Sequence, residues 1–260
     1  MANNLALRCN SRIVLFHASY FTDLKKSAEL PYADAIKTSL QQSQRLLQEK
    51  IKKFTSRVKG NKNRILFEAH THFGPSPEKE IINAAKRKKC ILIIISKSDK
   101  KGIGKLIRGS VTSLLIQQSG IPLLIVPAFY RFKAPQKVIY FTDLQRTKHE
   151  LAIVKHFAVQ FQMKIEIVFI DFGWSETFKE MKNLSLAFRS EFPFHHLRKR
   201  IETPVEDHIA AYVKHHPGSI ACLFHHKKNW LASLFEKNIS NRVANQLHAP
   251  LLVFPENYKG

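Results

Sequence analysis

Residues 96–129, SKSDKKGIGKLIRGSVTSLLIQQSGIPLLIVPAF, decide how the chain folds: they pass from a strand end through a basic loop and a helix into another strand. Just before them, Cys90-Ile91-Leu92-Ile93-Ile94-Ile95 is apolar without alternation. A strand of that kind has both faces covered, as in a parallel sheet. The loop from Lys97 to Gly109 holds Gly102, Gly104 and five cations. Ser110 is placed to start a helix, whose free N–H groups and positive dipole end favour an anion. Gly120 stops that helix, and Pro122-Leu123-Leu124-Ile125-Val126-Pro127 reads as a second covered strand.

Working outward, the same pattern recurs. Pro122 to Pro127 returns 128 residues later as Pro250-Leu251-Leu252-Val253-Phe254-Pro255, and Ile91–Ser96 meets Ser219–Phe224 at the same offset. Upstream the offset becomes 152: Arg12-Ile13-Val14-Leu15-Phe16-His17 matches Lys164-Ile165-Glu166-Ile167-Val168-Phe169. The difference lies in residues 20–63, which stand where the second copy has only residues 172–191. The second copy opens on Lys137-Val138-Ile139-Tyr140-Phe141-Thr142-Asp143, a strand whose partner in the first copy would fall before Met1. The first copy is therefore expected to lack its first strand, so that strands 12–19 and 90–96 meet directly or a foreign segment fills the gap.

Within the first copy the pattern predicts strands at 12–19, 64–71, 90–96 and 122–128. Helices fall at the N-terminus to about Cys9, at 32–58, 76–88 and 110–118. The second copy gives strands near 137–142, 164–171, 194–199, 219–225 and 250–254, with helices near 147–161, 175–190, 204–215 and 231–247. In the long helix Ile36, Leu40, Leu47, Ile51, Phe54 and Val58 make one apolar stripe among Lys37, Arg45, Lys50, Lys52, Lys53 and Arg57. Strand–helix alternation predicts parallel sheets with right-handed crossovers and helices on both faces.

The quoted stretch resembles the C-terminal half of a universal stress protein domain. That family's nucleotide signature runs Gly, two residues, Gly, nine residues, then Gly-Ser or Gly-Thr. Anchored on Gly109-Ser110, its earlier glycines fall on Ser96 and Asp99. The resemblance implies an α/β fold of two tandem Rossmann-like domains of the adenine nucleotide alpha hydrolase type, over 1–130 and 137–260. Each would have a parallel sheet of order 3-2-1-4-5, and the two would pair intramolecularly through their last strands. A homodimer of chains is an open alternative.

By that resemblance an ATP site needs an acid at the end of strand one and a glycine-rich loop after strand four. The second copy keeps the acid, Asp143, but has Phe224, Lys227, Lys237 and Asn238 at the glycine positions. The first copy keeps Gly102, Gly104, Gly109 and Ser110 without the acid-bearing strand. ATP is thus a candidate ligand of the 96–110 loop rather than a firm cofactor. The expected function is a stress-response or signalling module with degenerate nucleotide sites. ATP sensing through that loop and polyanion or nucleic-acid binding through the basic first half are the alternatives.

Composition narrows the classes. The net charge of +22 is uneven: residues 1–133 hold 25 cations against 8 acids, residues 134–260 hold 17 against 12. Such an excess concentrates polyanions near the first half, yet no helix-turn-helix or RNA-binding signature is present, and nucleic acid is not expected as a partner. No apolar run approaches ~18 residues, so no membrane partner is expected, and the start MANNLALRCNSR does not read as a signal peptide. Three scattered cysteines read as buried, reduced thiols of a cytoplasmic protein. There is no nucleophile elbow, P-loop lysine or paired-carboxylate spacing, so the chain is not expected to be an enzyme. His70 and His72 share a strand face without a third ligand nearby, which reads as a surface pair rather than a metal site.

Overall fold

A computed structural model of the chain describes residues 1–19, 31–57, 67–74, 76–96, 110–127, 130, 133–144, 146–171, 186–188, 191–199, 202–226 and 249–258. They belong to two compact units, Met1–Cys90 and Ile91–Gly260.

The first unit runs α1 (Ala2–Arg8), β1 (Ile13–Ser19), α2 (Tyr32–Arg57), β2 (Phe67–Phe73) and α3 (Pro77–Arg87). β1 and β2 are parallel, with Ile13 opposite Phe67 and Phe16 opposite His70. α2 packs on both strands, burying Ala35, Ser39 and Leu47, while Lys37, Arg45, Lys50, Lys52 and Lys53 stay exposed. Of the stripe read from sequence Leu47 is buried and Ile36, Leu40 and Ile51 are half-buried, while Phe54 and Val58 lie outside the described side chains. α3 begins on Pro77, with Glu78 and Glu80 in its first turn and Lys86 and Arg87 in its last, both suited to the helix dipole. Ser76 precedes it but makes no capping hydrogen bond. A Cβ at Gly74 would lie 2.5 Å from Glu80 Oε1, so the Glu80 side chain would have to shift to admit one.

The second unit contains β3 (Ile93–Ser96), α4 (Ser110–Gln118), β4 (Leu123–Val126), β5 (Lys137–Thr142), α5 (Thr147–Gln160), β6 (Lys164–Asp171), β7 (Phe194–Arg198), α6 (Val205–Lys214), β8 (Ser219–Phe224) and β9 (Leu251–Phe254). α4 gives way at Gly120, whose φ of +66 is costly for any residue with a Cβ. The sheet order is β3-β4-β9-β8-β5-β6-β7. Read from β7 to β9, the second copy's strands stand in the order 3-2-1-4-5, all parallel. β5 is therefore central, and its inner residues Val138, Ile139 and Tyr140 are wholly buried. The predicted helices at 175–190 and 231–247 fall mainly outside the described residues.

β4 and β9 meet antiparallel, Leu123 opposite Val253, Leu124 opposite Leu252 and Ile125 opposite Leu251. Leu252 is also the counterpart of Leu124 at the repeat offset of 128. Leu124 thus faces the residue that lies 128 positions on, while Leu123 and Ile125 face the flanking residues Val253 and Leu251. This pairing is why β3 and β4, parallel to each other, belong to the same compact unit as the whole second copy.

Among the described residues the first unit's sheet is β1 with β2, and in the second unit β3 pairs with β4 at the edge of the seven-stranded sheet. In β6 Ile167 and Val168 are fully buried between β5 and β7; in β1 Leu15 and Phe16 are half-buried.

Candidate functional site

In an open parallel sheet the ligand crevice lies at the carboxyl ends of the strands, where the order of connection reverses. In the second copy that point is between β5 and β8, which run side by side with Tyr140 opposite Cys222. The residues emerging there are Thr142-Asp143-Leu144 and Phe224-His225-His226.

The turn after β5 is built from short hydrogen bonds. Leu144 N–H donates to Thr142 Oγ1 at 3.0 Å, and Thr142 and Thr147 hydroxyls pair at 2.8 Å. These bonds hold Leu144 at a φ of +71, an unusual value for a branched side chain. They also fix Asp143 at the strand end. Its Oδ2 is buried and takes no hydrogen bond from the described residues, although the residue makes other interactions.

Beneath it lies a buried network absent from the sequence reading. Glu150, in the first turn of α5, accepts a very short hydrogen bond from the Tyr140 hydroxyl. His226 Nε2 reaches its other oxygen, Oε1, at 2.6 Å. Arg146, which can only donate, lies 3.5 Å from His226 Nδ1. Nδ1 must then accept, so Nε2 carries the proton and donates to Glu150. Burial, and after it the Glu150 carboxylate, push the Tyr140 phenol and the Cys222 thiol well above their ordinary ranges. Tyr140 therefore acts as a neutral donor and Cys222 as an inert thiol. Phe224, at the first glycine position, stacks on Phe254 with ring centroids 4.8 Å apart and meets Tyr140 edge-on at 5.8 Å.

Against ATP this arrangement fits in half. Asp143 stands where a nucleoside contact is needed, with an acceptor oxygen turned inward. The phosphate half does not fit. A phosphate cradle needs backbone N–H groups approached without a Cβ in the way. Here the strand end is a core aromatic, and the following imidazole is tied to a buried carboxylate whose charge opposes an anion. Of the first copy's candidates, Gly102, Gly104 and Gly109 lie outside the described residues. Ser110 is the first residue of α4, and its side chain lies outside the description too. Asp143 is thus the one predicted ligand whose surroundings are described.

Two further carboxylate clusters lie off this crevice. In the first unit Glu68 takes Lys88 at 2.8 Å, His70 at 3.0 Å and Arg12 at 3.0 Å. The Lys88 and His70 hydrogen bonds hold its carboxyl down at about 2. His72 pairs with Glu80 at 2.7 Å. Both histidines of the strand pair thus face carboxylates, and no group of three metal-ligating side chains occurs among the described residues. In the second unit Glu166 takes Lys137 at 2.5 Å and the Tyr212 hydroxyl at 2.8 Å. Burial pushes this carboxyl up, but the Lys137 and Tyr212 hydrogen bonds outweigh it, and it sits below its usual range.

Both missed acids left a trace in the sequence. Glu150 lies on the stripe Glu150, Val154, Phe157, Phe161, at helical steps of four, three and four. Glu166 interrupts the apolar strand Ile165–Ile170. An acid on an apolar face is a buried acid in need of partners.

Comparison with known proteins gives the same architecture. Residues 1–127 match the model of the universal stress protein family. No curated protein matches the chain. Among solved structures, a universal stress protein from Archaeoglobus fulgidus DSM 4304 superimposes with a TM-score of 0.67 at 14% identity, covering 97% of this chain and 91% of its own. A putative universal stress protein from Pseudomonas aeruginosa UCBPP-PA14 gives 0.61 at 14% identity, covering 98% and 87%. A protein of unknown function from Pseudomonas aeruginosa PAO1 gives 0.57 at 13% identity, covering 98% and 86%. At such identities the structural likenesses speak for the fold. No helix among the described residues is long and apolar enough to cross a membrane.

Proposed function

We propose, from the match of residues 1–127 to the universal stress protein family, that the chain is a non-catalytic stress-response and signalling module whose nucleotide sites are degenerate. That match supports the stress-response role. The degeneracy rests on one observation, the hydrogen bond that ties His226 to buried Glu150 where a phosphate loop would begin. A triphosphate brought to the end of β8 meets the imidazole of His226 pinned on the buried Glu150 carboxylate and a packed Phe224. Signalling then runs through protein contacts, with the paired last strands making the chain a dimer within itself. The protein works in the cytoplasm.

A thermal-shift series with MgATP tests this reading. A ligand held only by the native state at ~100 times its Kd adds about 2.7 kcal/mol of stability, which a melting curve reads easily. The expected result is no shift. A shift abolished by Asp143→Ala would refute the proposal, because it would put ATP at the crevice argued to be closed. A shift abolished by Gly109→Arg and kept by Asp143→Ala would replace it with ATP sensing through the 96–110 loop.

A further inference from the structure

α2 is the element that the first copy has in excess. Residues 32–57 carry six cations against two acids, whereas residues 175–190, in the corresponding place of the second copy, carry three against two. The apolar side of α2 is used against β1 and β2. Lys37, Arg45, Lys50, Lys52 and Lys53 are exposed, with Lys37, Arg45 and Lys52 on the outer side. None of these five side chains forms a hydrogen bond or ion pair among the described residues. Other cations of the protein do find carboxylates: Arg12 and Lys88 on Glu68, Lys137 on Glu166, Lys155 on Glu191. The α2 cations are thus an uncompensated row, offset on that side only by exposed Glu49 and, at the helix start, Asp34.

At 3.6 residues per turn, Lys37, Arg45 and Lys52 share an arc of about 80° on the outer side, whereas Lys53 and Lys50 turn toward the azimuths of buried Ala35 and Ser39. From Lys37 to Lys52 the outer row is about 22 Å long at ~1.5 Å per residue. That spans about six or seven phosphates at the ~3.4 Å axial spacing of one duplex strand.

We propose that this outer face of α2 docks the phosphate backbone of nucleic acid, without sequence selection. The absence of a recognition motif, which argued against nucleic acid in the sequence, bears only on base readout; backbone contacts position a protein and carry no sequence information. An anionic membrane is the less suited polyanion. Interfacial helices bury an apolar face in the headgroup region, and here that face is occupied by the sheet. Leu46 and Tyr32, 59% and 56% exposed, are the only exposed large apolar side chains of α2 among the described residues.

The test is fluorescence anisotropy of the full chain with a labelled single-stranded oligothymidylate across a salt series, repeated with duplex DNA and with phosphatidylserine vesicles. With Lys37, Arg45 and Lys52 engaged, log K against log salt falls with a slope of about −2.1 on the single strand and about −2.7 on duplex. The variant Lys37→Gln/Arg45→Gln/Lys52→Gln reduces the single-strand slope by about 2, and Arg45→Gln/Lys52→Gln by about 1.4. A control of equal charge, Lys79→Gln/Lys86→Gln/Arg87→Gln on exposed positions of α3, leaves the slope unchanged. These are solvent-facing substitutions, and circular dichroism confirms the fold of each. Equal losses in the α2 and α3 variants would overturn the proposal in favour of net charge alone. Absence of salt-dependent binding, or tighter binding to vesicles than to nucleic acid, would overturn it as well. Each of these results leaves the nucleotide reading untouched, since no α2 residue takes part in it.

Discussion

Replacing Glu150 measures how much the crevice of the second copy depends on its buried network. Glu150 is 6% exposed and Tyr140 wholly buried, so water cannot replace a lost partner. Glu150→Ala strands two donors, the Tyr140 hydroxyl and His226 Nε2–H. At about 1–3 kcal/mol for each unsatisfied buried group, the expected cost is about 2–6 kcal/mol. Glu150→Gln keeps the shape and one acceptor oxygen but turns an amide toward the other donor, so about 1–3 kcal/mol is expected. Tyr140→Phe removes a hydrogen bond to a carboxylate, again about 1.5–3 kcal/mol. Urea unfolding followed by tryptophan fluorescence is the assay, because Trp174 and Trp230 both belong to the unit Ile91–Gly260. The order expected is Ala worse than Gln, with unchanged m. A cost within ~0.5 kcal/mol for Glu150→Ala, the range of a surface substitution, would refute the network.

Two other predictions address the sheet and the first unit. Leu124 and Leu252 are both fully buried and directly opposed; each change to Ala should cost about 2–5 kcal/mol. Their double variant should depart from additivity by about 0.5–3 kcal/mol, and additive losses would contradict the antiparallel pairing of β4 with β9. NMR titration of the Glu68 carboxyl should give a midpoint of about 2, rising toward 4.5 in Lys88→Met. Because this carboxyl is depressed on folding, its contribution is present above the unfolded value and fades as pH falls from about 4.5 to about 2. A wild-type midpoint near 4.5 would dissolve the Glu68–Lys88–His70 cluster.

Much of this architecture is legible before any coordinates, for a physical reason. Strands covered on both faces are unbroken apolar runs, and a repeat prints the same run twice. The offset between Leu124 and Leu252 therefore points to the residues that oppose each other in the sheet. Side-chain chemistry is less legible because it joins distant positions: His226 and Glu150 are 76 residues apart, and no local pattern links a histidine pair after one strand to an acid in another helix. Ser76 shows the same limit. Its sequence context suits a cap, yet its hydroxyl is buried without a partner, a matter of rotamer and packing that spacing does not encode. Asp143 was recognisable as the end of a central strand, whereas what surrounds it was not.

Titration calorimetry of MgATP into the full chain tests the central claim most directly. The account predicts no saturable heat, because the end of β8 is occupied by Phe224 and by His226 held on Glu150. A saturable isotherm that disappears in Asp143→Ala would contradict it.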